Sequence, residues 1–261
     1  MIRKERSDAW SRATAATLAA IGVGIAVAAT SALTFAQDRI KSNVDAGASR
    51  EINRQFENPN LKVDEFVKKF EMESREVYAK REAIVDALGL KPGMSVADIG
   101  AGTGLFTRLF ADRVGAKGTV YAADIAPAFL KHIAAEAKNA GQPQIRTILS
   151  DQNSTKLPAD SVDAAFICDT YHHFEKPATL LKSIRQALRP DGVLTIVDFD
   201  RHPRSSDFIQ KHVRASKETF FREIEAAGFE RIPAENPPKL TENFFARFRK
   251  LADAPTKSKR D

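Results

Sequence analysis

The chain has 261 residues, 43% of them hydrophobic and 28% charged, with a formal net charge of +6. That is ample apolar material for one substantial α/β core and excludes a disordered chain. A single cysteine excludes an internal disulfide framework, no zinc-ligand spacing or internal repeat is present, and the modest, scattered positive charge makes no case for a nucleic-acid partner.

The N-terminal segment reads as an export signal. Arg3, Lys4, Arg6 and Arg12 form a basic flank, and Leu18 to Phe35 carries no charge. Thr34-Phe35-Ala36 offers a small-x-small cleavage site before Gln37. An uncleaved membrane anchor is the alternative, because an apolar run of this length approaches what a bilayer span needs. Either form keeps the basic end inside and puts the domain outside the cytoplasm, periplasmic or anchored. Residues 1–36 are therefore expected to be a signal peptide or anchor, and the polar residues 37–60 a linker. From Val63 to Leu88, apolar residues recur at helical spacing (Phe66, Phe70, Val77, Ile84, Val85, Leu88), which predicts one or two amphipathic helices before the core.

The stretch 96–104, VADIGAGTG, is the most informative in the chain. A short apolar run carries the acid Asp98, glycines fall at 100, 102 and 104, and a helix-like LFTRLFADRVG follows. This reads as strand, tight turn, helix. Glycine lets such a turn take positive φ and lets a ligand approach the backbone, while the helix start adds unpaired N–H groups. A dinucleotide fingerprint, G-x-G-x-x-G, needs a sixth-position glycine; Leu105 or Thr107 stands there, counted from Gly100 or Gly102. The Asp98 carboxylate would repel a pyrophosphate and attract an ammonium. S-adenosylmethionine (SAM) carries an amino group, a sulfonium charge and no phosphate. On this D-x-G-x-G-x-G motif the chain resembles the class I SAM-dependent methyltransferase family.

The remaining elements fall in the same register. A second strand, GTVYAAD, ends at Asp124, and a third, QIRTIL, runs into Ser150-Asp151-Gln152. A fourth, VDAAFICD, ends at Asp169 and leads into Thr170-Tyr171-His172-His173-Phe174. The turn LRPDG precedes a fifth strand, GVLTIVDF; the helix KETFFREIEAAG precedes RIPAE and NFFARFR, a sixth and seventh strand. The resemblance covers roughly residues 75–250. It implies an α/β fold: a Rossmann-like, doubly wound seven-stranded sheet, mostly parallel with an antiparallel last strand, under a helical N-terminal lid. The domain is placed at 61–250, with a flexible basic tail at 251–261. The resemblance also implies roles. Asp98 would hold the ammonium of SAM beside the backbone of Gly100, Ala101, Gly102 and Gly104. Asp124, with Ile125, would take the ribose hydroxyls, and Asp151 with Gln152 the adenine. Asp169 would lie between cofactor and acceptor, and Phe70, Arg75 and Tyr78 would line the site from the lid. An ordinary turn role stays open for any one of these acids. Together they stand at four strand C-termini, where open α/β sheets bind ligands.

On the acceptor side, His173, His172 and Asp169 are the expected catalytic residues. A histidine titrates near neutrality and can deprotonate an enol, phenol or amine; a hydrogen-bonded histidine capping the loop is the alternative. Asp198, Asp200 and His202 follow the fifth strand on the same edge of the sheet; a substrate pocket, or a metal held with His172 or His173, is the alternative, but such alternation is more often turn chemistry, so no metal is expected. Cys168, in the apolar fourth strand, is expected to be a buried, inert thiol. Cys168-Asp169-Thr170-Tyr171 lacks the prolines of nucleobase N-methyltransferases, and one cysteine is too few for an arsenite methyltransferase. The D-x-x-H-H-F run, followed by a helix, LRPDG and a strand, is similar to the ubiquinone/menaquinone C-methyltransferases. The glycine turn and the VG-x-x-G-x-V-Y-A after it are similar to protein isoaspartate O-methyltransferases. The resemblance thus implies methyl transfer from SAM to a small organic or lipid-like acceptor; membrane association is expected instead from the apolar N-terminal segment, in its anchor form. An exported, non-catalytic SAM- or nucleoside-binding module is the alternative, and the missing glycine disfavours a nicotinamide-dependent oxidoreductase.

Overall fold

The computed structural model describes residues 50–252. The expected signal or anchor, most of the expected linker and most of the basic tail lie outside the described residues. Among the described residues, no helix is long and apolar enough to cross a membrane.

Seven strands form one sheet in the order β3-β2-β1-β4-β5-β7-β6. They are β1 (Ser95–Ile99), β2 (Thr119–Asp124), β3 (Ile145–Leu149), β4 (Val162–Cys168), β5 (Leu188–Phe199), β6 (Phe229–Ile232) and β7 (Asn243–Lys250). The first five pair in parallel, and β7 runs antiparallel between β5 and β6. Strands covered on both faces need continuous apolar runs rather than alternation. Val96, Ala97, Phe166, Ile167, Ile196 and Val197 accordingly bury on successive positions of β1, β4 and β5. The chain winds outward from β1 to β3 and returns to β4 on the other side. The strand order therefore reverses between β1 and β4, which opens a crevice at their carboxyl ends.

Helices cover both faces. On one, α6 (Pro177–Ala187) and α8 (Lys217–Ala226) bury Leu181, Ile184, Phe220 and Ile224. On the other, α3 (Arg81–Leu88) and α4 (Leu105–Val114) bury Ile84, Val85, Phe106 and Phe110 against Phe166. Between them in sequence come α5 (Pro127–Asn139) after β2 and α7 (Asp207–His212) after β5.

The observed elements depart from the sequence expectation in four places. The N-terminal segment forms three helices, α1 (Val63–Phe70), α2 (Glu76–Ala79) and α3, of which α3 belongs to the core. Part of the expected linker is structured: Asn53, in a helical turn over 50–53, is 1% exposed. The LRPDG turn lies inside β5 as a bulge. Pairing jumps from Val162↔Leu188 to Ala164↔Val193, and Asp191 takes φ +61°. Finally, β6 begins two residues before RIPAE and stops at Pro233, which has no N–H for the ladder.

The segment from Asn53 to Glu76 is stitched across the crevice. Glu71 accepts from Thr103 Oγ1 at 2.7 Å and pairs with Arg108 at 2.8 Å. Arg75 pairs with Asp169. Glu76 accepts the backbone N–H groups of Glu242 and Asn243, each at 2.9 Å. These bonds hold α1 and the chain after it over the carboxyl ends of β1 and β4.

Candidate active site

Under this cover lies a cavity of about 460 Å³. Its floor is the glycine turn after β1. Gly100 sits at φ +72°, and a Cβ there would lie 2.2 Å from Thr170 Cγ2, so only glycine fits. The Gly102 N–H donates to Asp124 Oδ2 at 2.8 Å, and the Ala126 N–H donates to Asp124 Oδ1 at 2.8 Å. The acid at the end of β2 therefore holds the turn in shape, a task its sequence position did not announce. Gly100, Ala101, Gly102, Asp124 and Ile125 all line the cavity. Gly104 does not. It opens α4, and a Cβ there would meet Ile133 Cγ1 at 2.7 Å, so its glycine answers to packing against α5.

Asp98 also lines the cavity and is 3% exposed. Its Oδ2 accepts from Thr107 Oγ1 at 2.6 Å. Burial, with the charge of Asp124 adding, pushes its carboxyl up to about 7 against the opposing Thr107 bond. Burial raises Asp124 as well. Asp151 behaves differently. Its Oδ1 accepts the Asn153 and Ser154 N–H groups at 2.8 and 3.0 Å, and Oδ2 pairs with Lys156 at 3.0 Å. Those bonds lower its pKa, and they are the turn chemistry that the sequence left open for it. Asp151 and Gln152 still reach the cavity wall.

The other wall belongs to the turn after β4. Asp169 takes φ +46°, pairs with Arg75 and accepts from Asn243 Nδ2 at 2.6 Å. Burial raises its pKa and Arg75 opposes the rise. Cys168 is half-buried on the cavity wall, not fully buried, and desolvation lifts its thiol well above the usual range, so it stays protonated. Tyr171 turns away into the core, packs on Phe220 and donates to Glu223 at 2.9 Å.

His172 and His173 both line the cavity, each oriented through Nδ1. Asp198 takes the N–H groups of His172 (3.2 Å) and Phe199 (2.7 Å), which makes its carboxylate an acceptor. His172 Nδ1, 2.7 Å from Asp198 Oδ1, is then the donor and Nε2 the lone-pair atom. For His173 the orienting group is Asn53. Its Nδ2 donates to the His173 carbonyl (2.9 Å) and to Glu175 (3.1 Å), so its Oδ1 faces His173 Nδ1 at 3.1 Å as acceptor. Burial, with Arg214 and Arg75 adding, pushes His172 down to about 3, and burial, with the neighbouring His172 and His212 adding, lowers His173 strongly, so both are neutral imidazoles. A third histidine, His212 of α7, joins them on the cavity wall, with its pKa pushed down to about 4 by burial. Asp200 instead pairs with Lys217, and His202 is exposed and accepts from the Arg204 N–H.

Residues 97–196 match a protein-family model described as a methyltransferase domain. That segment, with the fold around it, is similar to the class I SAM-dependent methyltransferases. Over 118 residues it is 30% identical to the ubiquinone/menaquinone biosynthesis C-methyltransferase of Idiomarina loihiensis, which covers 45% of this chain and 47% of that relative. Over 109 residues it is 31% identical to the nocamycin O-methyltransferase of Saccharothrix syringae, covering 42% and 39%. The chain thus spans about half the length, or less, of these curated relatives. Among solved structures, a SAM-dependent methyltransferase of Aquifex aeolicus superposes with a TM-score of 0.62 at 23% identity, over 73% of this chain and 99% of that one. This last likeness is one of fold.

The half of the cavity beside the glycine turn matches SAM in chemistry. Carboxylates and a glycine turn dominate its lining, which suits an ammonium better than a pyrophosphate. Phe70 covers the turn, its ring 3.7 Å from where a Gly102 Cβ would stand, and Arg75 lies on the cavity wall. Tyr78, also expected there, is off the wall, stacked under Arg81 with the guanidinium 4.1 Å from its ring. Three features were missed in the sequence: Asn53, His212 and the rings of Phe56, Phe66 and Phe129 that cluster with Phe70. Helical spacing flagged Phe66 and Phe70; nothing local marks Asn53 or His212.

Proposed function

We propose that this protein transfers the methyl group of SAM to a small organic or lipid-like acceptor held beside His172 and His173. The observation that carries this reading is the glycine turn, pinned by Asp124 and backed by Asp98, at the strand-order reversal of the sheet. SAM, when bound, supplies an electrophilic methyl group on a sulfonium. The chain's own residues bind, orient and keep out water. Asp98 attracts the ammonium of the cofactor, and Asp124 and Asp151 with Gln152 accept from hydroxyl and amino groups. Arg75 offers the cation for a carboxylate. Rings of Phe56, Phe66, Phe129, Phe199 and Phe208 give the acceptor an apolar wall, which favours an aromatic or lipid-like molecule. His172 or His173, with Nδ1 engaged, takes the acceptor's proton at Nε2. Asp169 holds Arg75 across the mouth.

The domain acts outside the cytoplasm in this reading, supported by the basic flank and uncharged run of residues 18–35. N-terminal sequencing of the mature protein tests it: a chain starting at Gln37 supports cleavage, and an intact chain in the soluble cytoplasmic fraction overturns export. The non-catalytic module is the second reading, since it needs the same cofactor half. Calorimetry with SAM, S-adenosylhomocysteine and NAD separates the cofactors. Micromolar binding of the two sulfur nucleosides, with none of NAD, is the expected result. A folded sample that binds neither would end the methyltransferase reading.

A further inference from the structure

Three of the chain's five histidines, His172, His173 and His212, converge on one wall of the cavity. One nitrogen from each lies within 4.8 Å of the others. The ring centroids are 4.2 Å apart for His172–His173, 4.9 Å for His172–His212 and 5.4 Å for His173–His212. Two of the rings come from the tight turn after β4 and the third from the last turn of α7, so the fold assembles the group from distant segments. We propose that these three histidines bind a divalent transition-metal ion of the zinc type in the acceptor half of the cavity.

The supporting groups are those a metal site needs. Ligating histidines are usually oriented by a carboxylate or carbonyl on the other ring nitrogen. Asp198 does this for His172 at 2.7 Å and the Asn53 side-chain carbonyl does it for His173 at 3.1 Å. With both contacts on Nδ1, Nε2 is the ligating atom assigned to each of these rings in this proposal. His212 is set by its stack on Phe208, with centroids 4.8 Å apart and planes at 20°. A tetrahedral zinc site with Zn–N bonds of about 2.1 Å places its nitrogens about 3.4 Å apart. Ring rotation and a small shift of α7, where His212 is half-buried, close the remaining gap. An all-imidazole set suits zinc, cobalt, nickel or copper; magnesium and calcium demand oxygen ligands. Three protein ligands leave a coordination position open toward the cavity, the pattern of catalytic rather than structural zinc.

What the ion does there rests on the methyltransferase reading; its binding does not. An acceptor hydroxyl bound at the open position loses its proton more readily. The O–H proton passes to solvent, the oxygen forms the new O–CH₃ bond, and the electrons of the breaking C–S bond stay on sulfur. With the ion bound, the histidine lone pairs are ligands, so the proton-accepting role proposed above belongs to the metal-free protein.

The test uses the untagged full-length chain in mild detergent, stripped with chelator and titrated with Co²⁺ and then Zn²⁺. One Co²⁺ per chain with visible absorption bands, displaced by one Zn²⁺, is expected. His212→Ala and His173→Ala should each weaken Zn²⁺ at least tenfold in calorimetry, with His202→Ala and His132→Ala at the wild-type value. Thermal melts confirm that each variant folds. No stoichiometric uptake, or a folded His212→Ala that binds as tightly as wild type, overturns the site. S-adenosylhomocysteine is titrated into the same samples. Its binding without metal uptake sinks only the metal site; metal uptake without its binding sinks only the methyltransferase reading.

Discussion

Gly100 meets two constraints at once, a left-handed backbone and a site where a Cβ would fall 2.2 Å from Thr170 Cγ2. Gly100→Ala should therefore lose roughly 2–4 kcal/mol in denaturant melts, from backbone strain plus overpacking. Adding Thr170→Ala should restore the packing share and leave the backbone share. A double variant no more stable than Gly100→Ala alone would show the clash to be irrelevant. Asp98 illustrates the opposite balance, a residue that function favours and stability does not. Its raised pKa, about 7, means that folding is favoured with the carboxyl protonated, a contribution lost as pH rises through that value. Asp98→Asn keeps a group that can accept from Thr107 and removes the charge. It should melt higher than wild type at pH 8 and bind S-adenosylhomocysteine roughly 10–100-fold more weakly. For wild type, binding a ligand ammonium needs the ionised carboxylate, so affinity should fall roughly tenfold from pH 8 to pH 6 in calorimetry. A pH-independent affinity would remove Asp98 from the ammonium's site. The acid and the glycines were legible because a strand, an acid and a glycine run are contiguous in sequence. Gly104 shares the same spacing and packs against Ile133 of α5 instead of lining the cavity.

At the scale of elements, α1 and the chain after it turn an open crevice into a closed cavity. Polar contacts fix the segment, Glu71 on Thr103 and Arg108, Arg75 on Asp169, Asn53 on His173, beside the rings of Phe66 and Phe70 on Phe129. No residue of α1 is fully buried, so its apolar hold is confined to that ring cluster. Such a segment opens at low free energy. Glu71→Ala should therefore quicken amide exchange across residues 63–70, leave β1 unchanged, and weaken S-adenosylhomocysteine by roughly three- to tenfold, the scale of one or two partly exposed ion-pair contacts. Equal exchange in the two proteins would mean that Glu71 does not hold the cover. Helical periodicity announced α1 but not what it covers, since a hydrophobic stripe records a face to be buried and not its destination.

Across the whole molecule, burial acts on two sets of groups in opposite directions. Asp98, Asp124, Asp169 and Asp198 are raised, and His172, His173 and His212 are lowered. The raised carboxylates contribute stability that is present below their unfolded values near 4 and lost as pH rises through the folded ones. The lowered histidines contribute stability that is present above about 6.5 and lost as pH falls through theirs. Between about pH 4.5 and 6.5 the two slopes oppose, and above about 6.5 only the carboxylates act. The melting temperature of the ligand-free protein should be nearly level over the first range and fall beyond it. In Asp98→Asn the fall should be smaller. A wild-type melting temperature that climbs steadily from pH 4.5 to 8 would contradict this balance.

The sequence by itself determined the seven strands, their order of type along the chain, and the acids and glycines at their carboxyl ends. Each of those signals is a run or spacing within a few residues, which is the range over which strand and turn preferences act. Only the tertiary structure decided that Asn53 orients His173 across 120 residues, that Arg75 meets Asp169 across 94, and that α7 brings His212 to the pair after β4. These contacts exist because the strand order reverses between β1 and β4 and gathers distant loops onto one edge. No local pattern encodes which of those loops will touch.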